Sequence, residues 1–299
     1  MTDIIGFIGL GQMGQPIALN LLKAGAREGF DLRVFDLSEE RLAPLVALGA
    51  YQAFRMSDAV EEGGMVITMV PDDAALLEVA LGEGGILSRI GRGGVHLSLS
   101  TVSPAIAAQL AELYEQQGSR YLAATVLGRP EVAERAQLSI FLSGNPAAKA
   151  RALPLLEAIG SHIYDLGERV EIANAVKLGY NFLIAAAIEA MGEAAALVER
   201  FGAQRSAFLH MLVESPLFRG SVYEGYGGMI GAQDFSDARF PVAMGLKDLE
   251  LIREAAECVN LPLPYVQAPY AHLLAAQAQG RTAEDWSVMA AFAREGVPA

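Results

Sequence analysis

The chain has one cysteine, Cys258, one tryptophan and few aromatic residues, 7% in all. A single cysteine excludes an intrachain disulfide and suits a reducing, cytoplasmic setting. Cys258 falls in an apolar helical stretch, where packing is its expected role. Positive charge is also scarce: 22 Lys and Arg stand against 35 Asp and Glu, a net charge of −13. No basic run is present, and without clustered Lys and Arg a nucleic-acid partner is not expected. The acidity reads as solubility. His96, His162, His210 and His272 are scattered, none in a metal-ligand spacing, so no metal is expected. The N-terminus lacks a basic segment before its apolar run, and that run breaks into glycines, so no signal peptide is readable. The apolar stretch from Phe182 to Val198 contains Glu189 and Glu193. It is expected to be a buried helix and not a membrane span.

What is abundant is apolar residue: 53% of 299 positions, against 19% charged, enough for a large core and two domains. The chain opens with an apolar run of strand length, Ile4 to Ile8, that meets Gly9, Gly11 and Gly14. Met13, Ile17, Leu21 and Leu22 then recur at helical spacing. A strand, a G-x-G-x-x-G turn and a helix make a dinucleotide-binding unit. The first glycine serves the tight turn, the second the approach of pyrophosphate, and the third close helix–strand packing. Gly9, Leu10, Gly11, Gln12, Met13 and Gly14 are thus the expected cofactor cradle, with the pyrophosphate on free N–H groups at the helix start. Asp36 ends a second strand, Leu32 to Phe35, about 20 residues further on, the separation of an acid that binds ribose hydroxyls. Its charge would repel a 2′-phosphate and favour NAD, although Arg33 and Arg41 are near enough in sequence to reverse that and admit NADP. As a helix cap Asp36 would be redundant with Ser38.

Gly25 reads as the stop of the first helix. Further strands are expected at Met65 to Val70, Val95 to Leu99, Tyr121 to Val126 and Leu138 to Leu142. Between them, Pro71-Asp72-Asp73, Ser103-Pro104 and Asn145-Pro146 read as helix starts. This alternation predicts an α/β fold, a Rossmann-type doubly wound parallel sheet over residues 1–167. From Glu171 onward strand signal is almost absent. Residues 168–299 are therefore expected to form an all-helical domain, opened by a long helix from Ala173 to Arg200 and containing a glycine-rich loop at Gly225 to Gly231. Ligands of open α/β sheets sit at the carboxyl ends of strands, which predicts an active site in the interdomain cleft.

The long helix carries Asn174, Lys177 and Asn181 at offsets of three and four, on one face among small and apolar neighbours. An ammonium there either snorkels to solvent or is desolvated, with a lowered pKa and the ability to exchange protons near neutrality. Asn181 could bond a substrate oxygen or hold the lysine.

These residues lie in segments through which the whole chain resembles the β-hydroxyacid dehydrogenases, the family of 3-hydroxyisobutyrate dehydrogenase and tartronate semialdehyde reductase, relatives of 6-phosphogluconate dehydrogenase. The stretch from Gly6 to Pro16 is similar to the family's N-terminal signature. Thr68-Met69-Val70-Pro71-Asp72 resembles its cofactor-contacting strand end, and Ser100-Thr101 falls where the family meets the nicotinamide. Lys177-Leu178-Gly179-Tyr180-Asn181 is similar to K-x-x-N-N, and Leu246-Lys247-Asp248-Leu249 to a C-terminal K-D element. The resemblance implies that Lys177 is the catalytic acid/base, Asn181 its companion, and Val70, Pro71, Thr101 and Lys247 cofactor neighbours. It implies an NAD(P)-dependent enzyme acting on a small anionic hydroxy or oxo compound, and a homodimer or dimer of dimers. One segment departs. The family's substrate loop reads D-A-P-V-S-G-G, whereas this chain has Ala123-Ala124-Thr125-Val126-Leu127-Gly128-Arg129. Leu127 replaces a serine hydroxyl, and Arg129 is either a forked cation for a substrate anion or a surface partner of Glu131. Leu127, Gly128, Arg129, Thr101 and Asn174 complete the expected substrate contacts. An imine reductase of the same architecture, or a non-catalytic dinucleotide-binding protein, are the alternatives, and the Lys177–Asn181 pair speaks against both.

Overall fold

The computed structural model describes residues 3–218 and 220–295. Its contacts divide the chain into two units, Met1–Lys177 and Leu178–Ala299, so the division falls inside a helix.

The first unit is built on an eight-stranded sheet, in the order β3-β2-β1-β4-β5-β6-β7-β8. The strands are β1 (Asp3–Ile8), β2 (Phe30–Phe35), β3 (Tyr51–Gln52), β4 (Met65–Thr68), β5 (Val95–Ser98), β6 (Arg120–Leu127), β7 (Leu138–Ser143) and β8 (Gly160–Asp165). Helices α1 (Gly14–Glu28), α2 (Glu39–Ala47), α3 (Asp73–Leu81), α4 (Ile86–Ile90), α5 (Pro104–Gln116), α6 (Pro130–Glu134) and α7 (Pro146–Glu157) connect them. Alternate residues of each strand feed two cores. Phe7, Val34, Leu97 and Leu122 pack with Ile17 and Leu21 of α1 and with Leu155 of α7. Ile8, Val66, Tyr121 and Ala123 pack with Leu76 of α3, Ile90 of α4 and Leu110 of α5. A sheet covered on both faces needs strands apolar throughout, and β4 and β5 have no exposed residue.

The sheet is doubly wound but not wholly parallel: β7 runs antiparallel to β6, in register from Ala123↔Ser143 to Leu127↔Ser139. The connection from β6 to β7 carries only the one-turn helix α6, too short for the crossover that a parallel partner requires. The expected helix stops also shift. Helix α1 passes through Gly25 and closes on Gly29, whose N–H donates to Gly25 O. Gly25 sits inside because a side chain there would strike Phe30 O, 2.5 Å from the Cβ position. The three other helix starts hold as read: Asp72 accepts from Ala75 N, Ser103 from Ile106 N and Asn145 from Ala147 N and Ala148 N.

The second unit contains helices only, apart from one isolated bridge between Pro241 and Asp285 among the described residues. Helix α8 (Glu171–Arg200) enters it and is followed by α9 (Arg205–Glu214), α10 (Ser221–Ala232), α11 (Val242–Cys258), α12 (Gln267–Ala278) and α13 (Met289–Glu295). Its core gathers Ile188 and Met191 of α8, Leu249 and Ile252 of α11, Leu273 of α12 and Trp286. Gly225 to Gly231 is not a loop but the middle of α10. Each glycine costs about 1 kcal/mol in a helix against alanine. Gly227 and Gly231 face Val213 and Leu209 of α9, whose atoms lie 3.6 and 3.5 Å from the missing Cβ positions, ordinary contact distances. Cys258, expected to pack, is exposed at the last turn of α11. By length and composition alone, α8 would pass for a membrane span. Its two buried polar residues in this unit, Asn181 and Glu189, find Asp248 and His272 as partners, the pattern of a helix packed in protein.

Candidate active site

The glycine turn joins β1 to α1 and explains itself in space. Gly9 has φ +96°, and a Cβ there would lie 2.3 Å from Met69 O. A Cβ at Gly14 would lie 1.9 Å from Gly9 O, so only glycine lets α1 close on the turn. A Cβ at Gly11 would meet nothing within 4 Å. That open cradle, next to the first-turn N–H groups of α1, fits a pyrophosphate. Leu10 is buried beneath it, whereas Gln12 is exposed and Met13 half-buried.

Asp36 follows β2 and is more constrained than a free ribose-binding acid. Its Oδ2 accepts the Leu10 N–H at 2.6 Å, and its Oδ1 accepts the Ser38 N–H at 2.8 Å. Arg41 Nη1 lies 3.6 Å from Oδ1, and the Asp36 side chain is only 7% exposed. The carboxylate therefore pins the glycine turn to the loop after β2. Ser38 occupies the N-cap of α2 but makes no side-chain cap bond, and its own N–H donates to Asp36.

Val70 and Pro71 follow β4, and Thr101 follows β5. Two bonds stitch these loops together: Val70 N–H donates to Ser100 Oγ at 2.8 Å, and Ser103 N–H to Asp73 Oδ1 at 2.8 Å. Leu127 ends β6 and leans on the core above α5. Gly128 has φ +154°, and a Cβ there would press on Leu138 and Val132, so backbone and packing both call for glycine. Arg129 is half-buried at the start of α6. The cradle, Asp36, Val70, Pro71, Thr101, Leu127 and Gly128 all belong to the carboxyl-terminal edge of the first unit's sheet, where open α/β sheets bind ligands.

The first turns of α8 belong to that unit and are tied to it twice. Thr125 Oγ1 donates to Ala173 O at 3.0 Å, and Asn174 Nδ2 donates to Val102 O at 3.2 Å. Asn174 is 1% exposed, and its Oδ1 is buried without a hydrogen bond. Lys177, one turn on, is 9% exposed, so it does not snorkel. Asn181, a further turn along the helix, is 4% exposed and donates to Asp248 Oδ2. Lys247 Nζ lies 2.6 Å from Asp248 Oδ1. Thr101, Arg129, Lys177 and Lys247 all make contacts within the protein. Nothing in residue type or spacing singles out Thr125 or Asp248. Asp248 was present in the K-D element, but its burial is not visible in one sequence.

Two family models match the chain. Residues 4–170 match the NAD binding domain of 6-phosphogluconate dehydrogenase, and residues 172–293 match the NAD-binding of NADP-dependent 3-hydroxyisobutyrate dehydrogenase. The chain is 37% identical to an uncharacterized oxidoreductase of Bacillus subtilis, over 95% of this chain and 98% of that one. It is 30% identical to 2-(hydroxymethyl)glutarate dehydrogenase of Eubacterium barkeri, over 95% and 93%. The crystal structure of 3-hydroxyisobutyrate dehydrogenase from Salmonella typhimurium superposes with a TM-score of 0.84 at 25% identity, covering 97% of this chain and 99% of that one.

Proposed function

The chain belongs to the β-hydroxyacid dehydrogenase family, as an NAD(P)-dependent dehydrogenase or reductase, and on that premise we propose that it interconverts a small anionic hydroxy compound and its aldehyde or ketone, with Lys177 as the acid/base. The observation that carries this reading is Lys177 itself, an ammonium 9% exposed on an apolar helix whose first turn is bonded to the sheet. Burying a cation on such a helix is costly unless a partner or a reaction meets it.

The dinucleotide supplies or accepts the hydride when bound. Gly9 to Gly14 would hold its pyrophosphate and Asp36 its adenosine ribose, with Val70, Pro71 and Thr101 as further cofactor neighbours. Lys177 protonates the substrate oxygen as a carbonyl is reduced and removes that proton in the reverse direction. Asn174 and Asn181, a turn to either side, orient the oxygen and the lysine. Leu127 presents an apolar wall, and Arg129 pairs with the anionic end of the substrate. Asp36 favours NAD over NADP by charge. The proposed enzyme is a homodimer, a reading supported by the exposure of Leu183 and Leu197 on α8, at 64% and 61%, with Phe201 just beyond at 87%. A lone cysteine fits a cytoplasmic setting.

The test is a panel of small anionic aldehydes and ketones assayed with NADH and NADPH in parallel, for wild type and Lys177→Ala. Turnover that requires Lys177 is expected. Dinucleotide binding without turnover of any carbonyl would instead mark a binding protein.

A further inference from the structure

Beyond the residues already given a role, one buried carboxylate joins two of them. Asp248, on α11, is 1% exposed, with no part of the substrate assigned to it. Its Oδ2 accepts from Asn181 Nδ2, and its Oδ1 lies 2.6 Å from Lys247 Nζ. The second contact is one of charge and not of aligned hydrogen bonding, for Oδ1 is buried without a hydrogen bond. The first has a consequence for Asn181. An ionised carboxylate only accepts, so it must meet the NH₂ end of the carboxamide. The rotational choice of the amide is thereby made, and its oxygen is directed away from Asp248. Without Asp248 the two ends of the amide would compete for that place, and Lys247 would lose the counter-charge beside it.

We propose that Asp248 is a positioning residue for the reaction: one buried carboxylate sets the orientation of Asn181 and the place of the Lys247 ammonium together. The proposal rests on the functional reading of Lys177 and Asn181 given above. A carboxylate that hydrogen-bonds one group and faces the charge of the other makes them a single unit, and members of one network do not act additively when removed. Asp248 thus acts through Asn181 and Lys247, without itself touching the reacting atoms.

The experiment is a mutant cycle on the full-length protein: Asn181→Ala, Asp248→Ala, Asp248→Asn and the Asn181→Ala/Asp248→Ala double variant, with glyoxylate and NADH as the probe. Asp248→Ala is expected to lower kcat on the order of tenfold or more and to raise the KM for NADH through Lys247. Asp248→Asn, which keeps an acceptor of the same shape for Asn181, should recover part of kcat but not the KM. The double variant should lose no more than Asp248→Ala alone. Losses in kcat that multiply, or an Asp248→Asn enzyme with wild-type constants, overturn the proposal. A second measurement needs no turnover: in protein labelled with ¹⁵N-asparagine, the side-chain amide signals of Asn181 should be protected from exchange and lose that protection in Asp248→Ala. Protection that persists in folded Asp248→Ala overturns the proposal as well. Coupled amide signals in a protein that reduces no carbonyl would sink the enzymatic reading and leave the Asp248–Asn181 unit standing.

Discussion

At the scale of single residues, the proposed chemistry turns on Lys177. A positioned acid/base contributes on the order of 10²–10⁴ in rate. Lys177→Ala is expected to lower kcat by that order while the dissociation constant for NADH, read by fluorescence titration, stays within a factor of about two, because the cradle lies on another element. An enzyme with full turnover would remove Lys177 from the mechanism. Cofactor choice is a weaker effect. Asp36 already accepts two backbone N–H groups and stands beside Arg41, so its repulsion of a 2′-phosphate is shared with a cation. Wild type should still prefer NADH in kcat/KM; a tenfold preference for NADPH would reassign the site to Arg41. The altered loop gives a third expectation. Charge-assisted bonds contribute roughly 1.5–3 kcal/mol, so Arg129→Ala should raise KM about ten- to a hundredfold for an anionic substrate. Leu127→Ser should improve activity on 3-hydroxyisobutyrate. No change in either variant would mean that the loop substitutions are neutral in an ordinary pocket.

At the scale of elements, the turn between β1 and α1 was readable because its reasons are local. Strand, glycines and helix follow within a few residues, and the crowding at Gly14 comes from Gly9 O of the same turn. Gly14→Ala must push α1 away from Gly9 O, and it is expected to weaken NADH binding by at least tenfold and to lower the melting temperature. Unchanged affinity in that variant would show that α1 tolerates the shift. Other elements were misread where their causes lie far off in sequence. The direction of β7 depends on the short connection through α6, and α10 is helical despite its glycines because Tyr226 and Ile230 are buried in the core of the second unit. Edge strands β3 and β8 escaped detection: one has two residues, and the other alternates too weakly, with four of its six residues exposed.

At the scale of the whole molecule, stability against acid depends on a group no catalytic argument uses. His96 is fully buried in the first unit between Thr68 Oγ1 at 2.9 Å and Tyr114 OH at 2.7 Å, with Tyr121 edge-on to its ring. Burial lowers its pKa from 6.5 to about 3. Between those values the unfolded chain takes up a proton that the folded protein refuses. Stability from His96 is therefore complete above pH 6.5 and is lost as pH falls toward 3, at up to about 1.4 kcal/mol per pH unit. Urea midpoints followed by circular dichroism should fall more steeply from pH 7 to 4 in wild type than in His96→Gln; equal slopes would mean that His96 titrates normally. Assembly is the other property at this scale. Light scattering is expected to give twice the 31.7 kDa chain mass, and Leu197→Glu to shift the population toward monomer. A wild-type monomer at micromolar concentration would show that the exposed face of α8 serves something else.

The sequence alone determined what depends on neighbours along the chain. Apolar period and glycine spacing placed β1, the cradle and α1, the N-caps placed α3, α5 and α7, and helical spacing put Asn174, Lys177 and Asn181 on one face. Tertiary structure decided what depends on residues far apart: that Lys177 is withdrawn from solvent, that both oxygens of Asp36 are engaged by backbone from two loops, and that Asp248 meets Asn181 from 67 positions away. The physical reason is that burial and the pairing of a charge are properties of the space around a side chain. Periodicity along the chain reports which face a residue occupies, and only folding brings the partner that the face meets.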